Sequence, residues 1–291
     1  MVKVLLKQKD PKDKTKWIQK KFYFDGYIKS NLDLGIDQLK NDFDQVWFID
    51  GAEGAGKSDL MIQLAYYVNK PETRHNLIDR ICLTPEEFEK AISKADKYES
   101  VGLDEAFSGM SSSGTLSKIN RVLQRKFTEI RAKNLFIFIV APSFMDIMRY
   151  FAIWRSKCLI HVYLGKGRKR GFAAFYGEKK KRVLYMLGKR NFYNYSCVRP
   201  LFVFRYIKQL HYAINKEEYD LKKNSVVFAT DEELKSQRLS SQKKLIFKKV
   251  IINLIEKDPT ISNKSLSDII GLSSGTIRVY RREIDKKEDN S

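Results

Sequence analysis

The sequence has few of the residues that build disulfide frameworks or zinc sites. Its three cysteines, Cys82, Cys158 and Cys197, are odd in number, far apart, and in no CxxC pair. Disulfide frameworks usually have several cysteines in an even number, and structural zinc sites usually contain closely spaced CxxC pairs. The pattern argues against both kinds of site and predicts a reducing, cytoplasmic compartment.

Long hydrophobic runs are also missing. The longest apolar run, residues 135–142, has the length of a strand, whereas a helix that crosses a bilayer needs about 20 apolar residues. The apolar segment within residues 1–16 is too short for a secretory signal. We therefore expect a soluble globular protein with no membrane span.

Acidic residues are scarce in the second half of the chain. Residues 151–291 contain 31 Lys and Arg against 14 Asp and Glu, a net charge of +17, while residues 1–150 contain 24 and 21, a net of +3. This asymmetry favours a polyanionic partner, with DNA as the leading candidate. A lysine-rich composition with no such partner is the alternative. After residue 150 no acidic cluster typical of a two-metal nuclease appears.

A phosphate-binding motif lies between a predicted strand and a predicted amphipathic helix. The segment GAEGAGKS fits GxxxxGK[ST]. Glycines allow dihedral angles that point successive N–H groups at phosphate oxygens, and the helix presents its positive N-terminus to the same charge. We expect Lys57 to neutralise the β- and γ-phosphates and Ser58 to hold Mg²⁺. The predicted nucleotide-binding residues are Gly51, Ala52, Glu53, Gly54, Ala55, Gly56, Lys57 and Ser58.

Two adjacent acids end a later strand. Asp104 and Glu105 follow the apolar segment 100–103. Asp104 is predicted to join Ser58 in the Mg²⁺ shell, and Glu105 to orient and deprotonate the attacking water. Two solvated acids at a strand end are the alternative. The pair predicts hydrolysis of the nucleotide and not only its binding.

Three further residues are candidates for catalysis. Ser143 follows the apolar strand predicted at 134–142 and is placed to sense the γ-phosphate, although a serine there also serves as a simple cap. Arg131 and Arg155 are candidate arginine fingers acting across a subunit interface. Ordinary surface arginines are the alternative.

The order of the predicted elements indicates an α/β fold. Strands and helices alternate over residues 45–142, which is typical of a parallel sheet. Aromatic-rich segments at 158–164, 171–176 and 183–187, separated by basic turns, predict an antiparallel β-meander at the sheet edge. Residues 1–44 are predicted to form a polar lead-in with one helix ending at Phe43, and a helix is expected at 214–224.

These elements predict three parts of the chain. We expect a P-loop ATPase domain at 1–228, with its core at 45–160 and the β-meander extension at 158–206. A polar linker at 229–243 and a small all-α helix-turn-helix domain at 244–291 follow.

Two regions are candidates for DNA binding. Residues 263–280 fit a helix-turn-helix pattern with Gly271 at the turn, and the basic turns of the meander lie beside aromatic residues. Small helical modules without DNA and ordinary basic turns are the alternatives. The apolar helix-turn-helix positions are Leu266, Ile270, Leu272, Ile277 and Tyr280. The predicted DNA-binding residues are Arg168, Lys169, Arg170, Lys180, Lys181, Arg182, Ser274, Thr276, Arg278 and Arg281.

The predicted ATPase part resembles the FtsK/HerA-type P-loop motors. The resemblance covers residues 40–205 and is carried by GAEGAGKS, LDEAF, KNLFIFIVAPSF and YFAIWRSKCLIHVYL. It is strongest to the zonular-occludens-toxin-like ATPases of phages and mobile elements. Those proteins usually carry a membrane span, which is absent from this sequence, and many members of the wider group have Gln after the fourth strand, where this chain has Ala-Pro-Ser at 141–143.

The resemblance implies an ATPase that forms a homo-oligomeric ring and either translocates double-stranded DNA or acts in virion assembly. ATP is expected because no guanine-reading NKxD motif accompanies the P-loop. A viral origin would imply the host cytoplasm as location and a portal or capsid protein as a candidate partner. Genome packaging or transfer is the leading function. The alternatives are an AAA+-like replication initiator or helicase loader, and a nucleotide-gated transcriptional regulator.

Overall fold

Two units of the chain are described by the computed structural model. It describes residues 1–11, 13, 15–104, 112–227, 250–255, 261–270, 275, 277, 278 and 281, and of these only the backbone for 112–120, 210, 226, 227, 268 and 270. The units are Met1–Val227 and Phe228–Ser291. The predicted linker at 229–243 lies outside the described residues, so the predicted domain boundaries stay a prediction.

In the described residues of the first unit, nine strands form a hairpin and a larger sheet. They are β1 (Val2–Lys9), β2 (Trp17–Phe24), β3 (Gln45–Gly51), β4 (Ile81–Cys82), β5 (Ser100–Leu103), β6 (Phe136–Val140), β7 (Cys158–Gly165), β8 (Lys169–Gly177) and β9 (Phe202–Arg205). The seven-stranded sheet has the order β4-β5-β6-β3-β7-β8-β9. Its first five strands are parallel, and β8 and β9 are antiparallel to their neighbours. This sheet confirms the predicted α/β fold class.

The described part of the first unit has seven α-helices around the sheet. They are α1 (Gly26–Lys40), α2 (Lys57–Val68), α3 (Pro85–Lys94), α4 (Ser112–Ala132), α5 (Glu178–Arg190), α6 (Leu210–Ala213) and α7 (Lys216–Val227). Short 3₁₀ turns occur at Arg74–Arg80, Phe144–Asp146, Lys166–Arg168 and Tyr195–Cys197, and a π-helical turn at Phe151–Arg155. None of the described helices combines the length and the apolarity that a bilayer span requires.

Helices cover both faces of the sheet, which explains why its central strands are apolar throughout. All residues of β6 are buried. Phe136 and Phe138 enter the core shared with α1 and α2, whereas Ile137 enters the core shared with α3, α4 and α5. Burying one such side chain contributes about 1.5–3 kcal/mol. The strand predicted at 134–142 is therefore confirmed as a two-sided core strand.

The lead-in predicted at residues 1–44 is wrong in part. Its helix exists as α1, but β1 and β2 form an antiparallel hairpin before it. The hairpin packs on α2, where Phe22 stacks on Tyr66 at 4.8 Å and the Tyr66 hydroxyl donates to Gln8 Oε1 at 2.7 Å. Lysines fill much of the outer face of this hairpin, so its weak alternation resembles a polar segment.

The third segment of the predicted meander is also wrong. Residues 183–187 belong to α5, and the third antiparallel strand is β9. The buried positions of α5 are Lys181, Leu184, Tyr185 and Gly188, which is the i, i+3, i+4, i+7 spacing of a helix face. Over five residues this spacing is hard to separate from strand alternation.

The second unit is helical where it is described. Residues 250–255 (α8) and Asn263–Ile270 (α9) form helices. Ile251, Leu266 and Ile277 are fully buried against one another. The predicted core positions Leu266 and Ile277 are therefore confirmed, while Gly271, Leu272, Tyr280 and the Ile270 side chain lie outside the described part.

A buried lysine gives the first unit a testable pH dependence. The Lys181 side chain is fully buried, and its Nζ donates to Ala152 O at 2.7 Å and to Ile153 O at 2.9 Å. Burial lowers the pKa of Lys181 to about 8, whereas an unfolded lysine titrates near 10.4. Between these two values the unfolded state binds more protons, so the free energy of unfolding rises with pH.

We expect Lys181→Met to remove this rise, which amounts to up to about 1.4 kcal/mol per pH unit between the two pKa values. Urea unfolding at pH 7.5, 8.5 and 9.5 measures the slope. Lys179→Met, at an exposed position of the same helix, is the matched control. Equal slopes in wild type and Lys181→Met would show that Lys181 does not titrate in this range.

Candidate nucleotide and DNA sites

The loop between β3 and α2 has backbone angles that glycine tolerates and other residues do not. The φ values of Gly51, Gly54 and Gly56 are +132°, +68° and +101°. A Cβ atom at Gly51 would lie 1.9 Å from Val162 O, so no side chain fits there. Gly56 is the N-cap of α2 and makes no side-chain capping bond. The N-terminus of α2 therefore begins at the loop without a side-chain cap.

The predicted metal ligands lie in direct contact. The Ser58 hydroxyl donates to Asp104 Oδ1 at 2.8 Å, and Asp104 is only 1% exposed. Because β5, β6 and β3 are parallel neighbours, the carboxyl ends of β3 and β5 share one edge of the sheet. Lys57 Nζ donates to Gly51 O at 2.7 Å and so lies across the loop. Glu105 lies outside the described residues, and its role as general base stays a prediction.

The donor set fits a magnesium nucleotide. A hydroxyl and a buried carboxylate in contact suit Mg²⁺, which prefers a few protein oxygens together with phosphate oxygens and water. The Lys57 ammonium and the N-terminus of α2 suit the phosphates. Lys57, Ser58 and Asp104 are thus brought together as the sequence predicts, and which of them binds a ligand stays a prediction.

Asp50, which the sequence analysis missed, forms a buried cluster just before the loop. It is fully buried; it accepts hydrogen bonds from the Phe144 amide at 2.9 Å and from the Tyr195 hydroxyl, and its Oδ1 lies 2.8 Å from His161 Nδ1. The His161 and Tyr195 rings stack at 3.8 Å. Burial raises the pKa of Tyr195, so this hydroxyl stays a donor. The sequence did offer a signal for this cluster, because Asp50 is the one acid in a largely apolar strand.

Ser143 caps the turn beside this cluster. Its hydroxyl accepts from the Met145 amide at 3.2 Å. The capping interpretation therefore has a direct contact in support, and sensing of the γ-phosphate stays a prediction.

Three residues after β9 reach the glycine loop or Asp104, and sequence analysis missed them. The Tyr219 hydroxyl donates to Asp104 Oδ2, and Lys223 Nζ lies 3.7 Å from the same oxygen. The Tyr206 hydroxyl donates to Ala55 O at 2.9 Å. Burial raises the pKa of Tyr206 and of Tyr219. The helix predicted at 214–224 is confirmed as α7, but no local pattern links it to a carboxylate more than 100 residues away.

The two candidate arginine fingers lie at the amino ends of the parallel strands, opposite the P-loop. Arg155 Nη2 pairs with Asp44 Oδ2 at 2.7 Å, and Arg131 Nη2 with Asp42 Oδ2 at 3.6 Å. Both acids precede β3, whereas the P-loop follows it. Neither arginine therefore reaches the P-loop of its own chain, and action across a subunit interface stays a prediction.

The basic residues of 166–182 divide into exposed and internal ones. Arg168 and Lys169 are exposed at the β7–β8 turn. Arg170 is exposed beside the P-loop, with Nη2 3.7 Å from where a Cβ atom of Gly54 would lie. Lys180 Nζ donates to Arg199 O at 2.8 Å. The DNA contact predicted for Lys181 is wrong, because that side chain is buried under the π-helical turn.

Arg182 is held within the same unit. It pairs with Glu178, donates through Nε to Ile153 O at 3.1 Å, and lies over the Trp154 ring at 4.9 Å. These contacts fix its guanidinium near the surface, and contact with DNA stays a prediction for it.

The predicted DNA-binding residues of the second unit are only partly described. Arg278 is exposed. Arg281 Nη1 donates to Ile261 O at 3.0 Å and to Asn263 Oδ1 at 3.2 Å, which braces the start of α9. Ser274 and Thr276 lie outside the described residues.

Comparison with known proteins identifies the second unit. Residues 246–283 match the winged helix-turn-helix DNA-binding family. This match confirms the predicted helix-turn-helix and supports DNA binding by that part of the chain. No curated protein matches the chain.

One solved structure with similarity is the genome packaging NTPase B204 from Sulfolobus turreted icosahedral virus 2, in complex with AMP. The match has 13% sequence identity and a TM-score of 0.28, and covers 48% of this chain and 96% of that one. A TM-score this low supports no conclusion about fold or function.

The Asp50 cluster yields a second prediction. In the wild type, the donors around Asp50 share its two carboxylate oxygens. Asp50→Asn keeps only one oxygen that can accept a hydrogen bond, so at least one buried donor loses its partner. We expect the free energy of unfolding to fall by about 1–3 kcal/mol, measured by chemical denaturation. Asp220→Asn, which removes only a half-exposed ion pair at 3.9 Å, is the control. A fall no larger than in the control would contradict a structural role for Asp50.

Proposed function

We propose that the chain is a Mg²⁺-dependent ATPase whose hydrolysis drives movement of DNA. The observation that carries the proposal is the contact of Ser58 with Asp104 beside a glycine loop whose backbone admits no side chain at Gly51. The winged helix-turn-helix match supports DNA as the partner.

Each residue has a defined part in the proposed reaction. The amides of residues 51–58 and the N-terminus of α2 bind the phosphates. Lys57 moves its ammonium from Gly51 O to the phosphate oxygens, and Ser58 and Asp104 hold Mg²⁺. The metal, when bound, neutralises charge on the β- and γ-phosphates. Glu105 orients the attacking water and takes its proton.

A ring of several copies would complete the site. The two candidate arginine fingers, Arg131 and Arg155, are remote from the P-loop of their own chain, so either one would act on the γ-phosphate bound by a neighbouring copy. We infer a viral or mobile-element motor for packaging or transfer of double-stranded DNA, because the resemblance to FtsK/HerA-type motors implies such an assembly. A portal or capsid protein is the candidate partner.

Two other functions are alternatives to the motor. An AAA+-like initiator should have a helical lid after the sensor strand, but the chain continues from β6 through short turns into β7, which pairs with β3. A nucleotide-gated transcriptional regulator is favoured by the winged helix-turn-helix match. Sequence-specific binding with slow turnover would support the regulator.

ATP turnover with and without long double-stranded DNA tests the motor. We expect DNA to raise wild-type turnover severalfold. Glu105→Gln should lower turnover by about 100-fold or more, the usual contribution of a general base, while ATP still binds. Lys57→Ala should lose ATP binding itself. Wild-type turnover that is indifferent to DNA would contradict the motor and favour either the regulator or a virion-assembly ATPase that acts on protein.

The DNA contact of the second unit is tested separately. Arg278 is exposed, and removing one phosphate contact reduces the slope of log affinity against log salt by about 1. We therefore expect Arg278→Gln to weaken DNA binding and to flatten this slope, as measured by fluorescence anisotropy at several salt concentrations. Lys179→Gln, which removes one charge from the exposed side of α5, is the control. Equal slopes for Arg278→Gln and wild type would exclude this contact.

A further inference from the structure

Residues 206–227, which follow β9, form hydrogen bonds with α2, the helix that follows the P-loop. We call this segment the strap. Gln63 Nε2, on α2, donates to Ile207 O at 2.9 Å, and Gln209 Nε2 donates to Gln63 Oε1 at 3.0 Å. The hydroxyl of Tyr206 holds the P-loop at Ala55 O. The strap therefore contacts the loop, the helix that follows it, and, through α7, Asp104.

The strap ends on the carboxylate that is predicted to hold Mg²⁺. Both oxygens of Asp104 have partners: Oδ1 accepts from Ser58, and Oδ2 accepts from Tyr219 with Lys223 Nζ at 3.7 Å. A buried carboxylate is costly unless it is hydrogen-bonded and its charge is compensated. Tyr219 and Lys223 supply both kinds of compensation while no metal is bound.

A divalent cation and these two donors need the same carboxylate. Mg²⁺ binds oxygens in a strict octahedral shell and keeps several of its waters. Tyr219 is 3% exposed, so its hydroxyl fills the space next to Oδ2, where part of that shell would stand. The Lys223 ammonium adds a positive charge that repels the incoming cation.

We propose that α7 is a latch on the metal site: Lys223 and Tyr219 occupy Asp104 until Mg²⁺ and ATP bind together, and then release it. The proposal rests on the proposed ATPase function. On release, α7 loses its two contacts with the P-loop core at Asp104, while Lys222, whose Nζ donates to Ile81 O at 2.7 Å, keeps the helix tethered. Metal loading is thereby coupled to the segment that directly precedes the predicted linker.

The first test measures metal binding and does not need turnover. We expect Lys223→Gln and Tyr219→Phe each to strengthen Mn²⁺ binding, in the presence of a non-hydrolysable ATP analogue, by about two- to fivefold, the range that loss of a partly exposed ion pair or one hydrogen bond allows. Binding of the analogue in EDTA should stay unchanged. Lys216→Gln, which removes the Lys216 partner of Asp220 on the same helix at 3.9 Å, is the control.

The outcomes separate the latch from the function on which it rests. If the wild-type chain fails to bind the analogue with Mn²⁺, the proposed ATPase function fails. If wild type binds it and both variants bind metal equally well or more weakly, Tyr219 and Lys223 position Asp104 for the metal, and the latch is overturned.

Hydrogen exchange of the α7 amides gives a second readout. We expect residues 216–227 to exchange faster when Mg²⁺ and the analogue are added to wild type, because two contacts at Asp104 are lost. The analogue with EDTA should leave their exchange unchanged. Equal or slower exchange with Mg²⁺ would overturn the latch.

Discussion

The hydrogen bond from Ser58 to Asp104 joins the two halves of the candidate nucleotide site. The two residues come from different strand–helix units, and only the parallel pairing of β5, β6 and β3 brings the ends of their strands to one edge. The sheet is in turn held by side chains that enter two separate cores. The geometry of this one contact therefore depends on the packing of most of the first unit. The strap, from the C-terminal end of the same unit, also contacts Asp104 through Tyr219 and Lys223.

Several cations of the basic half are engaged in contacts within the first unit. Lys181 and Arg182 hold the π-helical turn, Lys222 holds β4, and Lys223 pairs with Asp104. The net charge therefore overstates the number of cations that are available to DNA, because some of them bind backbone carbonyls or a buried acid. Among the predicted DNA-binding residues, the exposed cations Arg168, Lys169, Arg170 and Arg278 remain as candidates for a nucleic-acid backbone.

Sequence reasoning succeeded where the chemistry is local. The loop at 51–58 needs glycines, a lysine and a serine at fixed spacings, and the two-sided strand at 136–140 needs an uninterrupted apolar run, so both were readable. It failed at α5, where a short pattern of apolar residues fits both a helix and a strand. It also failed at β1 and β2, where lysines weaken the alternation of apolar and polar residues. It had no access to contacts between distant segments, such as Tyr219 on Asp104 or Tyr195 on Asp50, because these exist only once the sheet is assembled.

The seven-stranded sheet ends in short strands on both sides. β4 has two residues and β9 has four, so each edge offers few unpaired amide and carbonyl groups to another chain. Short edge strands of this kind oppose the joining of sheets from separate molecules. The edges of the seven-stranded sheet therefore offer little for a second copy of the protein to extend by strand pairing.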